Sequence, residues 1–76
     1  MTKLWKIYFI ARAENGIAQS NHFKIEDTSP VYALLKALSH VEKHFNVRLM
    51  EIESASVKAV TQEVWDTADG YVVLHD

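Results

Sequence analysis

The stretch LWKIYFIARAENGIAQSNHFKIED, residues 4–27, constrains this chain more than any other. Its odd positions read Trp5, Ile7, Phe9, Ala11 and Ala13, with Lys6, Tyr8 and Arg12 between them. Apolar residues at every second position mark a strand with one face buried. Glu14-Asn15-Gly16 follows, and a glycine that accepts positive φ signals a hairpin. A second strand then places Phe23 and Ile25 at odd positions, with His22 and Lys24 between them.

The loop length can be decided from the pattern. A two-residue Asn15-Gly16 loop would set odd positions opposite even ones and put Phe23 and Ile25 on the wrong face. A three-residue loop, with Gly16 in a left-handed bulge position, pairs Ala13 with Ile17, Ile7 with Phe23 and Trp5 with Ile25. One continuous apolar face results, so the three-residue loop is expected.

The segment DTSP opens a helix. Ser29 is placed to accept a backbone N–H as N-cap, and Pro30 suits the first helical position. Val31, Leu34, Leu35, Leu38, Val41 and Phe45 follow a 3.6-residue period, and Asn46 closes the end. VRLMEIES, residues 47–54, reads as a third strand. From Ser54 to Gly70 two readings compete. Val57, Val60, Thr61, Val64, Trp65 and Ala68 fit one helical face, with Ser56 as cap, whereas the valines favour a strand and DTADG could be a hairpin loop. The helix is preferred because the polar residues fall on its other face. YVVLHD, residues 71–76, is expected to be a last strand. The fold class is α+β: a small, mainly antiparallel sheet with an N-terminal hairpin and one face covered by an amphipathic helix, in the order β-β-α-β, then α or β, then β.

Seventy-six residues are read as one domain, which at this size buries only roughly 60% of the surface its unfolded chain exposes. The chain has no cysteine, hence no disulfide, thiolate nucleophile or zinc finger. The opening apolar stretch is interrupted by lysine and lacks a cleavage pattern, and no apolar run is long enough to span a membrane. A cytoplasmic protein with no membrane association is expected. Charge is uneven: residues 1–50 carry seven Lys/Arg against four acids, and residues 51–76 carry Lys58 against six acids. The two halves either attract each other in the fold or present a bipolar surface.

His40 and His44 are four residues apart, a spacing that stacks two imidazoles on one helical face. A zinc-protease helix needs His-Glu-x-x-His, and here Glu42 comes one position late. Lys36 and Lys43 flank the pair and would repel a divalent cation, and His22 and His75 are distant in sequence. No metal or other cofactor is expected. Lys36, His40, Lys43 and His44 instead form a cationic stripe expected on the solvent side of the helix, suited to phosphate or an acidic protein.

The back of the hairpin offers a second basic surface. The register sets Lys6 opposite Lys24 and Tyr8 opposite His22, with Arg12 further along. Basic residues around an aromatic on an open sheet are ingredients of single-strand nucleic-acid binding. Catalytic signals are weak: no serine or threonine has an evident base, Glu51 and Glu53 alternate on a strand without a partner, and Asp66 and Asp69 fit no calcium loop. An enzyme is not expected. Trp65 and Tyr71, beside acidic Glu63, Asp66 and Asp69, are either core-edge residues or anchors for a protein partner.

Residues 62–71, QEVWDTADGY, resemble the C-terminal helix of the DinI-like proteins, small regulators of bacterial recombinase filaments. The resemblance covers this stretch alone and implies a helix there. The expected function is that of a small non-enzymatic binding protein acting through a protein interface. Inhibitors, adaptors and regulators are of this kind, as are phage or mobile-element products that block a host machine. The alternative is a nucleic-acid-binding module using the basic hairpin face and the helix stripe.

Overall fold

A computed structural model describes residues 2–74. Among them the elements run β1 (Lys3–Ala13), β2 (Ala18–Asp27), α1 (Pro30–Phe45), β3 (Leu49–Val60), α2 (Gln62–Thr67) and β4 (Val72–Leu74). The strands form one mixed sheet in the order β3-β1-β2-β4. β1 is antiparallel to both neighbours, and β4 joins the edge of β2 in parallel. The α+β class is as expected.

The hairpin has the three-residue loop. Ile7 pairs with Phe23 and Trp5 with Ile25. The Ala13 amide donates to the Ile17 carbonyl at 3.0 Å, and Gly16 sits at φ 84°. The front of the sheet therefore collects Trp5, Ile7, Phe9, Ala11, Phe23 and Ile25, all buried. The Trp5 indole N–H is satisfied by the Asp27 carbonyl at 3.0 Å.

α1 is capped as expected: the Ser29 hydroxyl accepts from the Val31 amide, Pro30 opens the helix, and Asn46 ends it in the left-handed conformation at φ 51°. Its buried face differs from the expected stripe. Ala33, Ala37 and Val41 point into the core, Leu34 and Leu38 pack at its border, and Val31, Leu35 and Phe45 are exposed. At about 100° per residue this is a roll of roughly a quarter turn. The sheet already supplies the bulk, in Phe9, Phe23, Ile7 and Ile25. A helix laid on such a surface packs most closely through small residues, so the alanines face inward and the larger side chains lie outside.

The expected helix over Ser54–Gly70 is a second difference. Residues up to Val60 extend β3, where Ala55, Val57 and Ala59 stand opposite Phe9, Ile7 and Trp5. Valines and alanines at alternate positions serve a strand as well as a helix, and β1 supplies a hydrogen-bonding partner along the whole length. The helix is confined to α2 and is capped by Thr61, whose hydroxyl accepts from the Val64 amide at 3.3 Å. Ser56 lies within the strand instead. The helix implied by the resemblance of residues 62–71 is α2. Of the expected last strand, Val72–Leu74 is present, while His75 and Asp76 lie outside the described residues.

Candidate functional site

The residues singled out by sequence fall on two opposite surfaces. The first is the outer side of α1. The quarter-turn roll leaves Tyr32 60% and Leu35 54% exposed, beside exposed Val31. Leu35 borders two grooves. One, of about 600 Å³, runs toward β4 and is lined by Tyr32, Lys36, His40, Lys43, Asp27 and Leu74. The other, of about 570 Å³, runs toward β3 and holds Leu38, Leu49, Met50 and Ile52, with Glu42 and Glu51 at its rim.

The cationic stripe is not a freely solvated row. Lys36 reaches Asp27 at the end of β2, Nζ to Oδ2 at 2.7 Å. His40 is half-buried, its ring edge-to-face with Phe23 at 5.7 Å, because the roll turns this flank of the helix toward β2. His44 stacks on His40 at 5.7 Å and meets Phe45 edge-on at 4.8 Å. Lys43 and His44 lie in the last turn of α1, where positive charge is favoured by the helix dipole. Glu42 accepts from the Leu49 amide at 2.9 Å and so tethers the α1–β3 connection. The Asp27 carboxyl is held below its ordinary value of 3.8, chiefly by the Lys36 ammonium; partial burial opposes this, and the Thr28 amide reinforces it.

The second surface is the back of the sheet, and it is less open than the hairpin alone suggested. α2 and the segment after it lie across it. Lys24 is only 8% exposed, with its ammonium donating to the Trp65 carbonyl at 2.6 Å and lying 5.8 Å from the Trp65 ring. Tyr71 sits 4.9 Å from the Lys6 ammonium and 5.1 Å from the His22 ring, which stacks in turn on Tyr8 at 4.5 Å. Trp65 and Tyr71 are thus half-buried against the sheet, in place of exposed anchors. Arg12 stands apart, paired with Glu53 at 2.8 Å and donating to the Gly16 carbonyl. This pair joins the basic first half of the chain to its acidic second half, and it supplies the partner that Glu53 lacked in the sequence reading.

Sequence reasoning missed two groups. The exposed apolar set Tyr32, Leu35, Met50 and Ile52 was hidden because leucine at helical spacing reads as core. Lys58 and Ser56 were hidden by assigning their segment to a helix; as strand residues they fall opposite Lys6 and Tyr8. Among the described residues no three His, Asp or Glu side chains converge as a metal site, and no helix is long and apolar enough to cross a membrane. Comparison with known proteins found no matching family, no matching curated protein and no matching solved structure.

Proposed function

We propose that the protein works by binding another protein through the outer face of α1, as a non-enzymatic inhibitor, adaptor or regulator in the cytoplasm. One observation carries this reading: Leu35, with Tyr32 beside it, stands exposed between two grooves of a helix whose inner face is otherwise well packed. Exposed apolar groups clustered this way favour burial against a partner, and an aromatic beside a leucine is a fitting anchor pair. The flanks set the partner's chemistry. His40 and Lys43 on the β4 side suit acidic groups, while Leu38, Met50 and Ile52 on the β3 side suit apolar ones.

The test is capture of a stoichiometric partner from the native cells, followed by reconstitution from two purified proteins. Leu35→Asp, at an exposed position, is expected to leave the fold intact and weaken the reconstituted complex by about thirtyfold, the loss of about 2 kcal/mol typical of an interface hot spot. A complex that tolerates both Leu35→Asp and Tyr32→Ala would overturn the reading. So would a mass that doubles with concentration and is restored to that of one chain by Leu35→Asp, since the face would then join two copies.

A further inference from the structure

The back of the sheet carries a second set of groups that the α1 surface does not use. In the register, Lys6 stands opposite Lys24 on one side and Lys58 on the other, so three lysines cross the sheet in one row. The next row is His22, Tyr8 and Ser56. The three lysines are not equivalent. Lys24 is committed to the Trp65 carbonyl. Lys6 lies against the face of Tyr71, and Lys58 is exposed. The ion pairs among the described residues are Arg12–Glu53 and Lys36–Asp27, so neither Lys6 nor Lys58 has a carboxylate partner there.

Lysines directly opposite one another on paired strands repel, and the row is left uncompensated within the described residues. An anion placed between Lys6 and Lys58 relieves this repulsion and gains two charge-assisted contacts. The surroundings specify which anion. A cleft of about 190 Å³ is lined by Lys6, Tyr8, His22, Ser56, Lys58 and Tyr71. The Ser56 hydroxyl adds a donor beside the two ammonium groups. Beside the charge, Tyr8 and His22 stack on each other and Tyr71 meets His22 edge-on, so aromatic rings border the cation pair. A cation pair beside stacked aromatics matches a phosphate attached to a planar base, the unit from which sequence-tolerant single-strand binding is built. The cleft is too small for a folded partner and is separated by the whole sheet from α1.

We propose that this cleft binds the phosphate of a nucleotide between Lys6 and Lys58, with the base against the aromatic groups that line it, Tyr8, His22 and Tyr71. The phosphate can belong to a free nucleotide or to a single strand, and the probes separate the two. Binding of thymidine monophosphate, and of a fluorescein-labelled ten-residue oligothymidylate, is measured at low and high salt.

At least one probe is expected to bind at low salt and to weaken as salt rises. Lys58→Glu, at an exposed position, is expected to lower the affinity by about tenfold or more, and Tyr71→Leu by about tenfold through lost stacking. Arg48→Glu, the same charge change at an exposed position outside the cleft, is expected to have no comparable effect. A clear advantage of the oligonucleotide assigns the site to single strands, and equal affinity assigns it to the free nucleotide. If neither probe binds, or if Arg48→Glu weakens binding as much as Lys58→Glu, the proposal fails. Thermal melting of each variant checks that the fold is retained, and Lys6→Gln repeats the test at the second cation. Leu35→Asp leaves this cleft untouched, so the outcome is independent of the protein interface on α1.

Discussion

The Lys36 ammonium lies 2.7 Å from the Asp27 carboxylate, tying the middle of α1 to the last residue of β2. Asp27 also accepts from the Thr28 amide at 2.6 Å, so one carboxylate joins the strand end, the turn and the helix. Its charged form is favoured in the fold, which makes stability depend on pH in a defined direction.

A carboxyl whose pKa is depressed on folding stabilises the native state above its unfolded value. The contribution of Asp27 is therefore fully present above the ordinary value of 3.8 and is lost as the pH falls through the lower folded value. Urea unfolding at a series of pH values is expected to show stability falling below about pH 4. Asp27→Asn is expected to lower stability at neutral pH and to flatten this acid-side slope.

The roll of α1 can be tested by exchanging small and large residues. Ala37 is fully buried against the sheet, so Ala37→Leu overpacks the core and is expected to cost about 1–3 kcal/mol or more. Leu35→Ala, at a half-exposed site, is expected to change stability by only about 0.5 kcal/mol. Chemical denaturation measures both, and the reverse ranking would mean that the leucine stripe faces inward.

The loop between β1 and β2 makes a specific demand at Gly16. With φ at 84°, any side chain there is strained even though no atom lies within 4 Å of an added Cβ. Gly16→Val is expected to destabilise the protein by about 1–2 kcal/mol from backbone strain. Thermal melting checks it, and Asn15→Ala serves as the milder comparison, losing the hydrogen bond from the Ile17 amide.

On the back of the sheet, Lys24 holds α2 in place through the Trp65 carbonyl. Lys24→Met keeps the apolar stem and removes the charged donor. The expected loss is about 1.5–3 kcal/mol, the usual worth of a hydrogen bond from a charged group. Amide hydrogen exchange should then quicken in residues 62–71 before it does in β1. Equal acceleration in both would show that α2 does not open separately.

Two kinds of position were read correctly from sequence for different reasons. Gly16, Ser29, Pro30 and Asn46 act through their own backbone preferences, so their roles depend on few neighbours. Trp5, Ile7, Phe9, Phe23 and Ile25 alternate strictly, and a slip of one residue would expose the whole set. The segment after Ser54 offered no such contrast. Its valines fit a strand and a helix equally, and the pairing of Val57 with Ile7 is a contact between residues fifty positions apart. The candidate sites depended on the same long-range decisions. The spacing of His40 and His44 placed them on one helical face, but the place of His40 against Phe23 follows from the roll of α1. Lys6 and Tyr8 were recognisable on the hairpin, whereas their neighbours Lys58, Ser56 and Tyr71 arrive from the far end of the chain.

By itself, then, the sequence determined the hairpin and its register, both ends of α1 and the α+β class, because these follow from local backbone preferences and the two-residue period of a half-buried strand. Tertiary structure alone decided which face of α1 is buried, how far β3 extends and where Trp65 and Tyr71 lie. Each of those outcomes is a competition between surfaces distant in sequence. The bulk of Phe9 and Phe23 turns the alanines of α1 inward, and the open side of β1 draws residues 54–60 into a strand.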